Sequence, residues 1–139
     1  MRSSIPLVRE NPDYLMDPSD LKRLVRENPW ATLVSHTSGG LAASHYPVLV
    51  DETRDELSLL THLGRPDEDV LELGDRELLV VVQGPHGYIS PSWYRTSPAV
   101  PTWNFVVAHL SGVPEILSGQ ENLRVLDALV DHFEDPPVV

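Results

Sequence analysis

The chain has 139 residues and 41% apolar content, enough for one domain, 1–139, with a real hydrophobic core. It has no cysteine, which excludes a disulfide framework, a thiolate metal site and a Cys nucleophile together. Its formal net charge is −11 and Lys22 is its single lysine; this argues against direct DNA binding, which draws its affinity from Lys and Arg on phosphates, and removes most Schiff-base and P-loop chemistry.

Residues 1–16 contain Pro6 and Pro12 and no sustained period, and are expected to be irregular. No charged-then-apolar leader is legible and no apolar run is long enough to span a bilayer, so a cytoplasmic protein without membrane contact is expected. Asp17-Pro18-Ser19-Asp20 is a helix start, with a capping side chain, Pro at the first helical position and an acid in the first turn. Leu21, Leu24 and Val25 follow at helical spacing, and Pro29 disfavours helical geometry at Asn28, so the helix is confined to 17–29.

Trp30–Thr37 reads as a strand, Ser38-Gly39-Gly40 as a hairpin turn, and Leu41–Val50 as the partner strand, with Pro47 marking an edge or a bulge. Asp51–Glu56 is a polar turn and Leu57–His62 a third strand. Asp67–Leu73 carries Val70, Leu71 and Leu73 at helical spacing and ends at Gly74. Leu78–Gln83 is an apolar strand that breaks at Gly84-Pro85-His86-Gly87 into a long aromatic loop; a strand resumes at Trp103 and runs to about Val113, extended to Ile116. Glu121–Phe133, within 119–134, places Leu123, Leu126, Leu129, Val130 and Phe133 on one helical face. Connections between the early strands are too short for parallel crossovers. The expectation is therefore a mainly β domain with flanking helices, its antiparallel strands forming a barrel over 30–116.

Three fragments could carry chemistry. Thr61-His62-Leu63-Gly64-Arg65 sets a hydroxyl, an imidazole, a glycine and a guanidinium where a strand gives way to a helix; such a set could hold a phosphate, with Arg65 giving a bidentate contact. The blander alternative is a strand end whose Arg65 pairs with Asp67 or Glu68. Ala43-Ser44-His45-Tyr46-Pro47 could present polar groups to a flat ligand, or be a half-exposed strand face. His86 with Ser90 or Ser92 imitates a nucleophile–base pair, but the chain has no G-x-S-x-G elbow and the loop has no Asp. The six histidines show neither H-x-x-x-H nor H-E-x-x-H spacing, so no metal site is expected and no catalytic residue is assigned.

The aromatic segment decides more than these fragments. Gln83-Gly84-Pro85-His86-Gly87-Tyr88-Ile89-Ser90-Pro91-Ser92-Trp93-Tyr94, followed by Val100-Pro101-Thr102-Trp103-Asn104-Phe105, closely resembles the PaiB-type family, known as FMN-binding negative transcriptional regulators. "WATLVSH", "ASHYPVLVD" and "LLTHLGRPD" fall in the family's order and spacing, and the resemblance covers nearly the whole chain.

The resemblance implies an FMN-binding split β-barrel of antiparallel Greek-key type, like that of the pyridoxamine-phosphate-oxidase group. It also implies a homodimer with FMN at the subunit interface. Carried onto this sequence, Ser44, His45 and Pro47 would lie along the isoalloxazine, Thr61, His62 and Arg65 near the ribityl phosphate, and Gln83 near the ring. Trp93 and Trp103 would close the pocket from the other protomer. The function so implied is a flavin-linked regulator or sensor that does not itself read DNA. Two alternatives stay open: an FMN-dependent oxidoreductase of a small molecule, and a cofactor-free dimeric interaction module.

Overall fold

Helix α1 (Pro18–Glu27) forms where the capping chemistry puts it. The Asp17 carboxylate accepts from the Asp20 amide at 2.8 Å, Pro18 opens the first turn, and the Asn28 amide closes the last on Leu24 and Val25 carbonyls. Strands β1 (Trp30–Thr37) and β2 (Gly40–Pro47) make the expected hairpin, with Gly40 at φ 115° in the turn. The computed structural model describes residues 15–134, and the irregular segment and C-terminal stop read from the sequence lie almost wholly outside them.

The expected partner strand 41–50 is divided. The ladder with β1 stops at the Trp30–Pro47 pair, and the buried Val48 turns its amide to the Pro29 carbonyl at 2.8 Å. Beyond it, β3 (Leu49–Val50) pairs with β4 (Leu59–Leu60) in a separate two-stranded sheet, so the expected strand 57–62 shrinks to its centre. Helix α2 (Arg65–Leu71) starts two residues before the expected 67. It ends on Glu72 in the left-handed region, φ 50°, with Gly74 at φ 93° just beyond.

The largest departure concerns the aromatic loop. β5 runs Leu78–Ile89 and β6 runs Thr102–Gly112, so most of the expected loop is a two-stranded ribbon, and only residues 90–101 connect the strands, through a 3-10 turn at Pro91–Trp93. Gly84 and Pro85 do not break the strand. They form a bulge between Gln83 and His86, which accommodates a proline without a ladder donor.

The main sheet has strand order β2-β1-β5-β6, antiparallel throughout. Its inner face carries Ala31, Leu33, Val80, Val82, Ala108 and Leu110, which pack with Leu24 and Val25 of α1, Val48 and Leu71 of α2. The result is a split-barrel-like fold of mainly antiparallel strands with three flanking helices, in which the sheet does not close. Helix α3 (Gly119–Glu134) begins with a capping box. The Ser118 hydroxyl accepts from the Glu121 amide, while the Glu121 carboxylate accepts from the Ser118 amide at 3.0 Å.

Candidate functional site on two faces of the sheet

Strand alternation sorts the expected site residues onto different faces. The pairs Thr32–His45, Thr32–Val81 and Val81–His109 set His45, Thr32, Val81 and His109 in one row across the outer face, and His45 Nδ1 lies 3.1 Å from Thr32 Oγ1. Pro47 stands beside Trp30, and Gln83 beside Val107.

The bulge keeps this face continuous along the ribbon. Three steps along β5 from Gln83 to His86 match two steps along β6 from Val107 to Phe105, so His86 and Tyr88 share the outer face with Phe105 and Trp103. Ring centroids of His86 and Tyr88 lie 6.0 and 6.1 Å from that of Trp103. Trp103 is 58% and Phe105 67% exposed, and Trp93, in the turn beyond the ribbon, is 67% exposed. The ribbon is thus an aromatic arm that projects from the core with its side chains in water.

The inner side at the other end of β2 is polar and closely bonded. Ser44 Oγ donates to Asp67 Oδ2 at 2.5 Å, Tyr46 Oη donates to the same oxygen at 2.7 Å, and the Gly64 amide donates to Tyr46 Oη at 3.3 Å. The Ser44 hydroxyl, and then that of Tyr46, hold the Asp67 carboxyl below its ordinary value; the bond to Asp67 in turn raises the Tyr46 hydroxyl. Thr61 Oγ1 donates to the Pro47 carbonyl at 2.8 Å, which ties the end of β4 to the end of β2. His62 Nδ1 lies 3.0 Å from Asn122 Oδ1 of α3. Arg65 is exposed and forms no ion pair among the described residues, so the pairing with Asp67 or Glu68 that the sequence allowed is not formed.

Thr61, His62 and Arg65 line one cleft of ≈ 750 Å³ in the open mouth of the half-barrel. Its floor is apolar, with Leu33, Val48, Leu78 and Val80. Within one protomer the structure brings these three residues together. It places His45, Pro47, Gln83 and Trp103 on the outer face, Ser44 on the opposite face of β2, and Trp93 at the tip of the arm. From the sequence, Tyr46 was named only within its fragment and Asp67 only as a partner for Arg65, and Asn122 was not named. The i, i+2 spacing of Ser44 and Tyr46 was a signal that both reach one partner, whereas nothing local to Asn122 points to His62. Among the described residues no three His, Cys, Asp or Glu side chains are grouped to hold a metal ion.

The fold defines a split-barrel-like, mainly antiparallel domain with two candidate surfaces, an exposed aromatic outer face and a cleft in which Arg65 forms no ion pair among the described residues. Residues 11–138 match the family described as "Putative FMN-binding domain", and the chain belongs to it. The chain is 32% identical over 125 residues to the Protease synthase and sporulation protein PAI 2 of Bacillus subtilis (strain 168), covering 86% of this chain and 59% of that protein. It is 36% identical over 105 residues to the Uncharacterized protein YKL070W of Saccharomyces cerevisiae, covering 69% of this chain and 62% of that protein. The chain thus spans about three fifths of the length of both relatives.

Proposed function

We propose that this chain binds FMN as a homodimer and serves as a flavin-linked regulator or sensor in the cytoplasm, without reading DNA itself. The observation that carries the reading is the arrangement of the aromatic arm and the outer sheet face. A flat ring system needs an apolar wall, and this face offers one with Pro47 and Gln83 on it. An arm this apolar also needs cover, and a second copy supplies the same surface in return. Such a copy would add its Trp93 and Trp103 to the His45 and Pro47 of the first, which a single protomer does not bring together.

The cleft holds two guanidiniums, Arg54 and Arg65, against the acids Asp51, Glu56, Glu68 and Glu115, and Arg54 is already paired with Asp51. Arg65 would hold the phosphate, because its charge is not spent on a carboxylate among the described residues and its planar fork matches phosphate oxygens; its cleft lies on the inner side of the sheet, opposite the ring wall, so the two protomers of the dimer would divide ring and phosphate between them. Thr61 and His62 stand with Arg65 at the cleft. With Asn122 Oδ1 as acceptor, the His62 ring would donate from Nδ1, which leaves Nε2 as an acceptor. When bound, a flavin supplies hydride and single-electron chemistry of its own; the protein's part is to bind, orient and shield it. The regulatory role draws its support from the family resemblance. No helix among the described residues is long and apolar enough to cross a membrane.

The test is a fluorescence titration of FMN and of riboflavin against the protein and its Arg65→Ala variant. Charge-assisted hydrogen bonds contribute about 1.5–3 kcal/mol each. Arg65→Ala is therefore expected to weaken FMN at least tenfold, or roughly 1.4 kcal/mol, and to leave riboflavin nearly unchanged. Equal loss for both ligands would assign Arg65 to the fold, and no loss for either would move the phosphate site elsewhere.

A further inference from the structure

Four of the six histidines lie on the outer face of the main sheet. His45 on β2 and His109 on β6 stand at the two edges of one row, with Thr32 and Val81 between them. His86 sits opposite Phe105 on the arm, and His36 opposite Leu41 near the β1–β2 turn. His36, His45 and His86 are exposed and His109 is half-buried. Tyr88 is the one other titratable side chain at the strand positions of this face, and none of those positions carries Asp, Glu, Lys or Arg. Helices α1 and α2 pack on the opposite side, where Leu24, Val25 and Leu71 join the core. Helix α3 starts at the cleft, where Asn122 meets His62. The charged groups at the rim of the face are Arg95 in the turn beyond the arm, Glu77 ahead of β5, and Glu72, which is bonded to Ser38 and Arg76.

We propose that His45, His86 and His109 make the homodimer pH-sensitive, so that it holds at neutral pH and separates as these imidazoles gain charge; this rests on the homodimer reading and adds its regulation. Histidine is the side chain whose charge ordinarily changes between roughly pH 5 and 8. A charge buried in a contact is tolerated only beside one of opposite sign. In a two-fold interface the partner presents the same patch, so a face without carboxylates meets another without carboxylates. Neither copy then brings a compensating anion to the three histidines. Neutral imidazoles suit such a contact, since each offers one donor and one acceptor, as His45 Nδ1 shows with Thr32 Oγ1 at 3.1 Å. The sign follows from linkage: separated protomers take up protons that the dimer excludes, so the dimer weakens as pH falls. His36 lies toward Ser38, where Glu72 offers a carboxylate, and is not assigned to the switch.

Sedimentation equilibrium of the protein without added flavin reads the dimer Kd at about pH 7.5 and about pH 5.5, a window that histidine titration spans and carboxylate titration mostly does not. The wild type is expected to dimerise about tenfold more weakly, or worse, at the lower pH. The triple variant His45→Gln/His86→Gln/His109→Gln should lose most of that difference, while His132→Gln, on α3, should keep it. Circular dichroism at both pH values reports whether the protomers stay folded, and loss of the dimer through unfolding overturns the proposal. A dimer equally tight at both pH values overturns it as well, and so does a pH difference that survives in the triple variant. Should the triple variant not fold or not dimerise, the three single variants make the same comparison, and a pH difference unchanged in all three overturns the proposal equally. The two levels fail differently. A wild type that is monomeric at both pH values removes the homodimer and the switch with it. A dimer indifferent to pH removes only the switch.

Discussion

Gly84 shows how one residue sets the course of the longest strand. It is buried at the bulge, and a Cβ there would stand 2.6 Å from Leu24 Cδ1 and 3.2 Å from the Val106 carbonyl oxygen. Leu24 is only 6% exposed and lies in the core, so it has little room to yield. Gly84→Ala should therefore destabilise the protein by about 1–3 kcal/mol, the usual cost of overpacking, as read by urea denaturation. A neutral effect would mean that α1 shifts freely against the sheet. In the sequence Gly84-Pro85 looked like a strand break. The physical reason it is not one is a tertiary contact: the missing side chain admits Leu24 of α1, while Pro85 falls where the ladder is already interrupted.

At the scale of elements, side-chain carboxylates fasten the helices to the turns. Arg26 of α1 makes a bidentate pair with Glu52, at 2.7 and 2.8 Å, while Lys22 donates to the carbonyls of Arg54 and Asp55. Together they clasp the turn between β3 and β4. Glu72, the residue that closes α2, accepts from the Ser38 hydroxyl and amide in the β1–β2 turn and from Arg76 at 2.5 Å. These bonds, the Ser38 hydroxyl first, hold the Glu72 carboxyl below its ordinary value of 4.5. A carboxyl depressed on folding adds stability above its unfolded value and loses it as pH falls through the folded one. Glu72→Gln should thus lower the melting temperature at pH 7, with the gap to wild type narrowing below pH 4.5. Melting curves taken from pH 7 to pH 3 check this, and a gap constant with pH would mean that Glu72 acts by packing alone.

Across the whole molecule the charge is distributed very unevenly. The chain is 22% charged, yet the outer face of the main sheet carries no Asp, Glu, Lys or Arg from Trp30, Thr32 and Val34 on β1, through Leu41, Ala43 and His45 on β2 and Leu79, Val81 and Gln83 on β5, to Phe105, Val107 and His109 on β6. Charge depletion over an apolar, aromatic surface marks the centre of an interface. Sedimentation is expected to show a dimer at micromolar concentration. Phe105→Asp should make it monomeric, since it puts an unpaired charge into the contact. Leu123→Asp, a charge on an exposed position of α3, should leave the dimer intact. A wild-type monomer, or a dimer indifferent to Phe105→Asp, would remove the interface from this face.

Much of the fold was legible because local chemistry dictates it. The Asp17 cap, the Gly40 turn, the alternation of β1 and β2 and the apolar run of β5 each write their structure in adjacent residues. Thr61, His62 and Arg65 were legible as a group for the same reason, lying within five residues of one another. What the sequence left open depends on partners far along the chain. Val48 leaves the sheet for the carbonyl of Pro29, His62 meets Asn122, and Ser44 and Tyr46 reach Asp67 across more than twenty residues. Local propensity contains no information about which donors will meet an acid after the strands have paired. The Ser44–Tyr46–Asp67 cluster was therefore decided only when the tertiary fold set α2 against β2, and the exposure of the aromatic arm only when the bulge carried β5 past the core.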